Sequence, residues 1–286
     1  MKKNRKINKK NLIRRIIRHI IMISIGFIML YPVLWLVGSS FKPTHVIFSE
    51  ISFIPSQFYF GHYPQGFAGV QGTPFMRFIF NSIIISSLAI VGNLISCTMA
   101  GFAFARLKFR FKGIAFALML MTVMLPIHVV LIPRYIMFNK LNLINTFVPL
   151  VLPKFLATDG FFVFLIIQFI RGIPISLDEA AIIDGCSYKM LFWKIILPLT
   201  KPALISTAIF TFLWTWDDFL SQLVYLSRTS KYTVQLGLRL FLDSSSRSDW
   251  GATFAMSVMS LIPCLIVFAA LQKYIVEGIA TTGLKG

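Results

Sequence analysis

The chain has 286 residues, of which 57% are hydrophobic and 13% charged, with a mean hydropathy of +0.78. That balance excludes an ordinary soluble protein and fits one membrane domain. A net charge of +18 would suggest nucleic acid in a soluble protein, but here the basic residues border apolar segments. An anionic lipid surface and control of topology explain them better, and no nucleic-acid partner is expected.

Residues 1–18 carry nine Lys or Arg and no acid, and read as a basic cytoplasmic tail. A signal peptide is the alternative. The following run is free of Lys, Arg, Asp and Glu from His19 to Phe41 and no small-residue cleavage site ends it, so a retained first helix is expected, kinked at Pro32. The stretch from about Lys42 to Arg77 is rich in Pro, Gly, Phe and Tyr and reads as an outer loop folded over the mouth. Its His45 and His62 show no metal spacing.

Windows at 78–105, 113–133 and 250–272 contain no Lys, Arg, Asp or Glu, and each can cross a core of ~30 Å. Two further apolar stretches are interrupted: Thr146 to Ile170 by Lys154 and Asp159, and Ala203 to Leu226 by Asp217 and Asp218. The expectation is an all-α membrane protein with six transmembrane helices in residues 19–286. Pro126, Pro133, Pro149 and Pro153 suggest broken helices around the third and fourth spans, tolerated only beside protein or a water-filled cavity. Basic residues gather in the tail, at Arg106, Lys108, Arg110 and Lys112, at Arg171, Lys189, Lys194 and Lys201, and at Lys273 and Lys285. This bias places both termini and the 175–198 loop in the cytoplasm. Cys97, Cys186 and Cys264 are isolated and read as reduced packing residues, with no metal or redox spacing.

In the second span Ser82, Ser86, Ala89, Asn93, Ser96 and Ala100 form a seam of small residues that lets helices approach closely. Asn93 either hydrogen-bonds across that seam or lines a substrate path. The fifth span holds Trp214-Thr-Trp-Asp-Asp-Phe-Leu220, and a helix starting near Ala203 would carry Asp217 ~21 Å along it. Trp216, Asp217 and Asp218 suit a sugar, whose apolar face a ring covers while carboxylates accept from hydroxyls. An interfacial aromatic belt with two capping acids is the other reading.

Loop 175–198 has its own start signals. Ser176 with Glu179 reads as a capping box, Asp178 and Glu179 suit the positive end of a helix, and Gly185 suits a left-handed turn. A second start at Ser187 runs until Pro198 and Pro202 stop it. The spacing Glu179-Ala180-Ala181, then Asp184-Gly185, then Ile195, Leu197 and Pro198 resembles the EAA loop of binding-protein-dependent ABC importer permeases. Tyr31-Pro32 through Ser40-Phe41-Lys42, Ala103-Phe104-Ala105-Arg106 and the ending Thr282-Gly283-Leu284-Lys285-Gly286 look like the carbohydrate-uptake branch, similar to the smaller permease of maltose-type importers. Trp216-Asp217-Asp218-Phe219 resembles its Trp-Asn-Asp/Glu-Phe pattern, with Asp217 in place of Asn.

The resemblance implies a type I importer permease architecture working with a second homologous permease, two ATP-binding cassette ATPases and an extracytoplasmic solute-binding protein. It implies that Glu179, Ala180, Ala181, Asp184 and Gly185 couple to the ATPase. No Gly-x4-Gly-Lys-Ser/Thr occurs, so ATP is expected on a partner, with no cofactor in this chain. The alternatives are a permease of the same architecture for an amino acid, phosphate or peptide, and a membrane lipid-metabolising enzyme using Asp184-Gly185 or Asp217-Asp218. The latter lacks the further acids at set spacing that such chemistry needs.

Overall fold

The apolar windows become helices because a backbone in lipid must satisfy its own polar groups. A computed structural model describes residues 9–243 and 249–283, with side chains for 13–242 and 249–272. Most of the basic tail and the final Leu284-Lys285-Gly286 lie outside the described residues. In chain order the helices are α1 Lys9–Ser39, α2 His62–Ala68, α3 Phe75–Arg106, α4 Lys112–Met124, α5 Ile127–Lys140, α6 Val148–Phe155, α7 Gly160–Arg171 and α8 Ile175–Ile183. After them come α9 Tyr188–Leu191, a π-helical turn Phe192–Ile196, α10 Leu197–Leu199, α11 Lys201–Trp216, α12 Leu220–Tyr225, α13 Val234–Asp243 and α14 Trp250–Gly283. Among the described residues there is no strand, only an isolated bridge between Val70 and Thr73.

Ile13–Ser39, Phe75–Arg106, Val148–Arg171 and Trp250–Gln272 are long and apolar enough to cross a membrane. Two bent pairs bring the total to six: α4 with α5, turning 104°, and Tyr188–Leu199 with α11, turning 72°. The third window is therefore not one straight helix. Pro126 lacks an N–H and disfavours helix at Leu125, so the chain turns there. At the second bend Pro198 and Pro202 sit in the first turns of α10 and α11 and do not end the helical path. The bend lies at buried Thr200, whose hydroxyl donates back to the Ile196 carbonyl.

The chain divides into two units. One takes in Met1–Phe67 and Phe241–Met259. Within it Pro32 lies inside a continuous α1. Lys42 is fully buried, its Nζ donating to the Glu50 and Ser52 carbonyls at 2.6 and 2.5 Å. His62 is buried too, with Nε2 2.9 Å from the Lys42 carbonyl, and its ring occupies the space a Cβ on Gly251 would need.

The other unit takes in Ala68–Leu240 and Ser260–Gly286. Here α3 packs against α6, α7 and α11 along the small-residue seam. Ser82, Ser86, Ala89 and Asn93 are buried, and Gly92 and Gly101 sit so close to Phe155 and Ile166 that a Cβ would approach within 2.7 and 2.6 Å. Phe102, Phe162, Ile166, Ile167 and Ile170 form the core between α3 and α7, and Ala181, Leu191 and Phe192 join it.

Candidate functional site

Two regions of the second unit bring the sequence-derived candidates together. The first is the α8–α9 loop. Pro174, with φ −56°, precedes α8, which therefore starts at Ile175. Ser176 falls inside the first turn, and the Ser176–Glu179 capping box does not form. Asp178 and Ala181, one turn apart, are buried, whereas Glu179, Ala180, Asp184 and Gly185 are exposed. The outward surface also carries Ile175, Ile182 and Ile183, the last 85% exposed. Gly185 has φ +83° with open space around its Cα, so the left-handed turn, not crowding, requires glycine. Ser187 caps α9 by accepting from the Met190 amide at 3.3 Å.

Asp178 faces Arg106 at the end of α3, with Nε to Oδ2 2.5 Å and both side chains 7% exposed. Arg106 Nη2 also donates to the Ile173 carbonyl at 2.8 Å. The Ala103-Phe104-Ala105-Arg106 run thus holds the α8 end of the loop to α3, a link that the resemblance alone did not supply.

The second region is a cavity of about 790 Å³ where α6–α7 and α11–α12 are both interrupted. Its charged lining residues are Lys154, Asp159, Asp217 and Asp218, with Trp214, Trp216, Gln222 and Gln235 beside them. Leu156–Asp159 separate α6 from α7, and Ala157 there has φ +52°. The freed carbonyls are covered: Ser96 Oγ donates to Lys154 O at 2.6 Å and Thr158 Oγ1 to Pro153 O at 2.9 Å. Asp159 Oδ2 accepts from Lys154 Nζ and Asn93 Nδ2, each at 2.8 Å, and Asn93 also donates to Thr211 Oγ1 at 3.0 Å.

Asn93 is fully buried and does not line the cavity; it anchors Asp159 instead. The fifth span is not continuous to Leu226. It breaks after Trp216, leaving Asp217 at the end of α11 and Asp218 accepting from the Ser221 amide at 3.0 Å to cap α12. Trp216 is 2% exposed and stacked on Phe212, whereas Trp214 is 52% exposed, and both line the cavity. Lys154 and Asp159 interrupted the fourth apolar stretch in the sequence, and that interruption was the signal for their role in the cavity. Among the described residues no group of three His, Cys, Asp or Glu side chains could hold a metal.

Spanning helices broken around a polar cavity are the architecture of a membrane transport component. Residues 92–281 match the family described as binding-protein-dependent transport system inner membrane component, and the chain belongs to that family. It is 34% identical over 267 residues to the arabinooligosaccharides transport system permease protein AraQ of Halalkalibacterium halodurans, covering 92% of this chain and 93% of that one. It is 31% identical over 274 residues to the galactooligosaccharides transport system permease protein GanQ of Bacillus subtilis, covering 96% of each. The fold matches a chain in the crystal structure of a bacterial ABC transporter involved in the import of the acidic polysaccharide alginate, with a TM-score of 0.79 at 21% identity over 94% of this chain and 98% of that one. Membership of a transport family leaves the lipid-enzyme reading of Asp184-Gly185 and Asp217-Asp218 without support.

Proposed function

We propose that the chain is one of two related permease subunits of an ABC importer that brings a sugar or oligosaccharide into the cytoplasm. Both termini and the α8–α9 loop face the cytoplasm, where two ATPase subunits bind. A solute-binding protein delivers cargo from the opposite side. The carbohydrate relatives support the cargo class, and Trp214 beside Asp217 and Asp218 suits a polyhydroxylated ring.

The observation that carries the reading is the division of α8 into two faces. Asp178 and Ala181 hold it to the membrane domain, while Glu179 and the Ile175, Ile182 and Ile183 side chains remain exposed beside a rigid turn. An apolar surface rimmed by two acids, Glu179 and Asp184, is suited to a protein partner. ATP-driven closure of the ATPases would press on this helix pair and turn the cavity outward, and hydrolysis would return it inward. Asp217 and Asp218 line the route and Asn93 supports it through Asp159. Vesicles holding the full complex should accumulate a labelled neutral oligosaccharide only with ATP and binding protein present. Accumulation without ATP would refute the reading.

A further inference from the structure

We infer that this chain's cavity turns away anionic solutes, so that its cargo is a neutral or ammonium-bearing polyhydroxylated compound and not a uronate or sugar phosphate. The inference rests on the cavity being the solute path and deepens that reading.

Two chambers share Thr158, Lys154, Asp159 and Asp218 in their walls, the larger about 790 Å³ and the smaller about 550 Å³. In the larger, Lys154 is the cationic lining residue, and its ammonium lies 2.8 Å from Asp159, so those two charges offset each other. In that larger chamber Asp217 and Asp218 have no such counter-charge, whereas in the smaller one Arg134 shares the wall with Asp218. Asp217 accepts from Gln235 Nε2 at 3.3 Å and Asp218 from the Ser221 amide, both neutral donors. Among the described residues no Lys or Arg nitrogen lies within 4.0 Å of either carboxylate. Arg134 lines only the smaller chamber, and the Arg239 guanidinium lies over the Phe219 ring, 5.7 Å from its centroid.

The end of α11 adds to this bias at Asp217, while Asp218 sits at the positive N-terminal end of α12. Asp217 follows the last residue of α11, where unsatisfied carbonyls already concentrate negative charge, the unfavourable end for a carboxylate. A field of that sign, focused by apolar walls, changes the local concentration of small ions by about tenfold or more. Neutral hydroxyls meet a different surface. Carboxylates accept from them, Thr215, Gln222 and Gln235 add polar groups, and the Tyr225 hydroxyl in the smaller chamber is buried without a hydrogen-bond partner.

The charge preference can be read without knowing the cargo, because Cys264 lines the larger chamber. The full chain carrying Cys97→Ala and Cys186→Ala, purified in non-ionic detergent, is treated with cationic and anionic methanethiosulfonates, each rate being divided by that with free cysteine. A neutral methanethiosulfonate reports access, and Thr158→Cys supplies a second position. The cationic reagent should react about tenfold faster than the anionic one, and Asp217→Asn with Asp218→Asn should bring the ratio towards one. The ratio at Cys186, measured in a Cys97→Ala, Cys264→Ala chain, should not move with those two changes. Equal or faster anionic reaction overturns the inference, as does a ratio unchanged by the two Asn substitutions, or no reaction of the neutral reagent at either position. Failure of ATP-driven sugar uptake would instead count against the importer reading and leave this ratio where it is.

Discussion

Arg106 at the end of α3 and Asp178 in α8 form an ion pair with Nε to Oδ2 2.5 Å, each side chain 7% exposed. It joins the helix that anchors Asp159 through Asn93 to the helix that presents Glu179. One helix thus touches both candidate regions.

Removing one partner strands the other charge in a buried site, which costs about 3–5 kcal/mol. Arg106→Met or Asp178→Leu alone should therefore lower the melting temperature of the purified protein sharply. The double variant Arg106→Met, Asp178→Leu should recover much of the loss. Equal melting of the single variants and wild type would show that the pair contributes nothing.

Gly185 makes a separate prediction, because its φ of +83° has no crowding behind it. A left-handed residue with a Cβ costs about 1–2 kcal/mol, and Asn tolerates that region better than β-branched residues do. Gly185→Asn should keep the loop folded and Gly185→Val should not, as judged by limited proteolysis within 184–187. Equal cleavage of the two variants would contradict this origin for the glycine.

Gly101 tests the α3–α7 contact. A Cβ there would come within 2.6 Å of Ile166 Cγ2, and overpacking of that kind costs about 1–3 kcal/mol. Gly101→Ala should destabilise, and Ile166→Ala in the same chain should recover part of the loss because it empties that space. A double variant no better than the single one would mean the strain lies elsewhere.

The spans were legible where apolar length alone decides. The 78–105 window sits inside Phe75–Arg106, and 250–272 begins with α14. Pro126 signalled a break in the third span, but the 104° angle of the turn was not legible in a charge-free window. In the α8–α9 loop Ser187 and Gly185 act locally and were readable, whereas the Ser176 box lost to Pro174, which starts the helix two residues earlier. At the cavity the choice between Trp214 and Trp216 depended on which ring Phe212 covers, and that is a matter of packing. The Arg106–Asp178 pair, 72 positions apart, left no local signal.

Orientation is open to direct labelling. With native cysteines replaced, Ser56→Cys should react with an impermeant thiol reagent added outside intact cells, and Tyr188→Cys should react only after the membrane is opened. Both positions are exposed on the protein, so silence reports sidedness. Outside labelling at Tyr188→Cys would invert the topology.

The central claim is that the exposed face of α8 carries the ATPase. Ile183, 85% exposed, adds no core contact, so Ile183→Asp should leave folding and membrane abundance unchanged while placing a desolvated charge in that interface. The deciding measurement is ATP hydrolysis co-purifying with the tagged chain from membranes, normalised to the amount of chain recovered. Wild type should bring an ATPase subunit with it, and Ile183→Asp should lose at least about tenfold of that activity, the equivalent of 1.4 kcal/mol in binding. Full ATPase recovery with Ile183→Asp, or none with wild type, would contradict the claim.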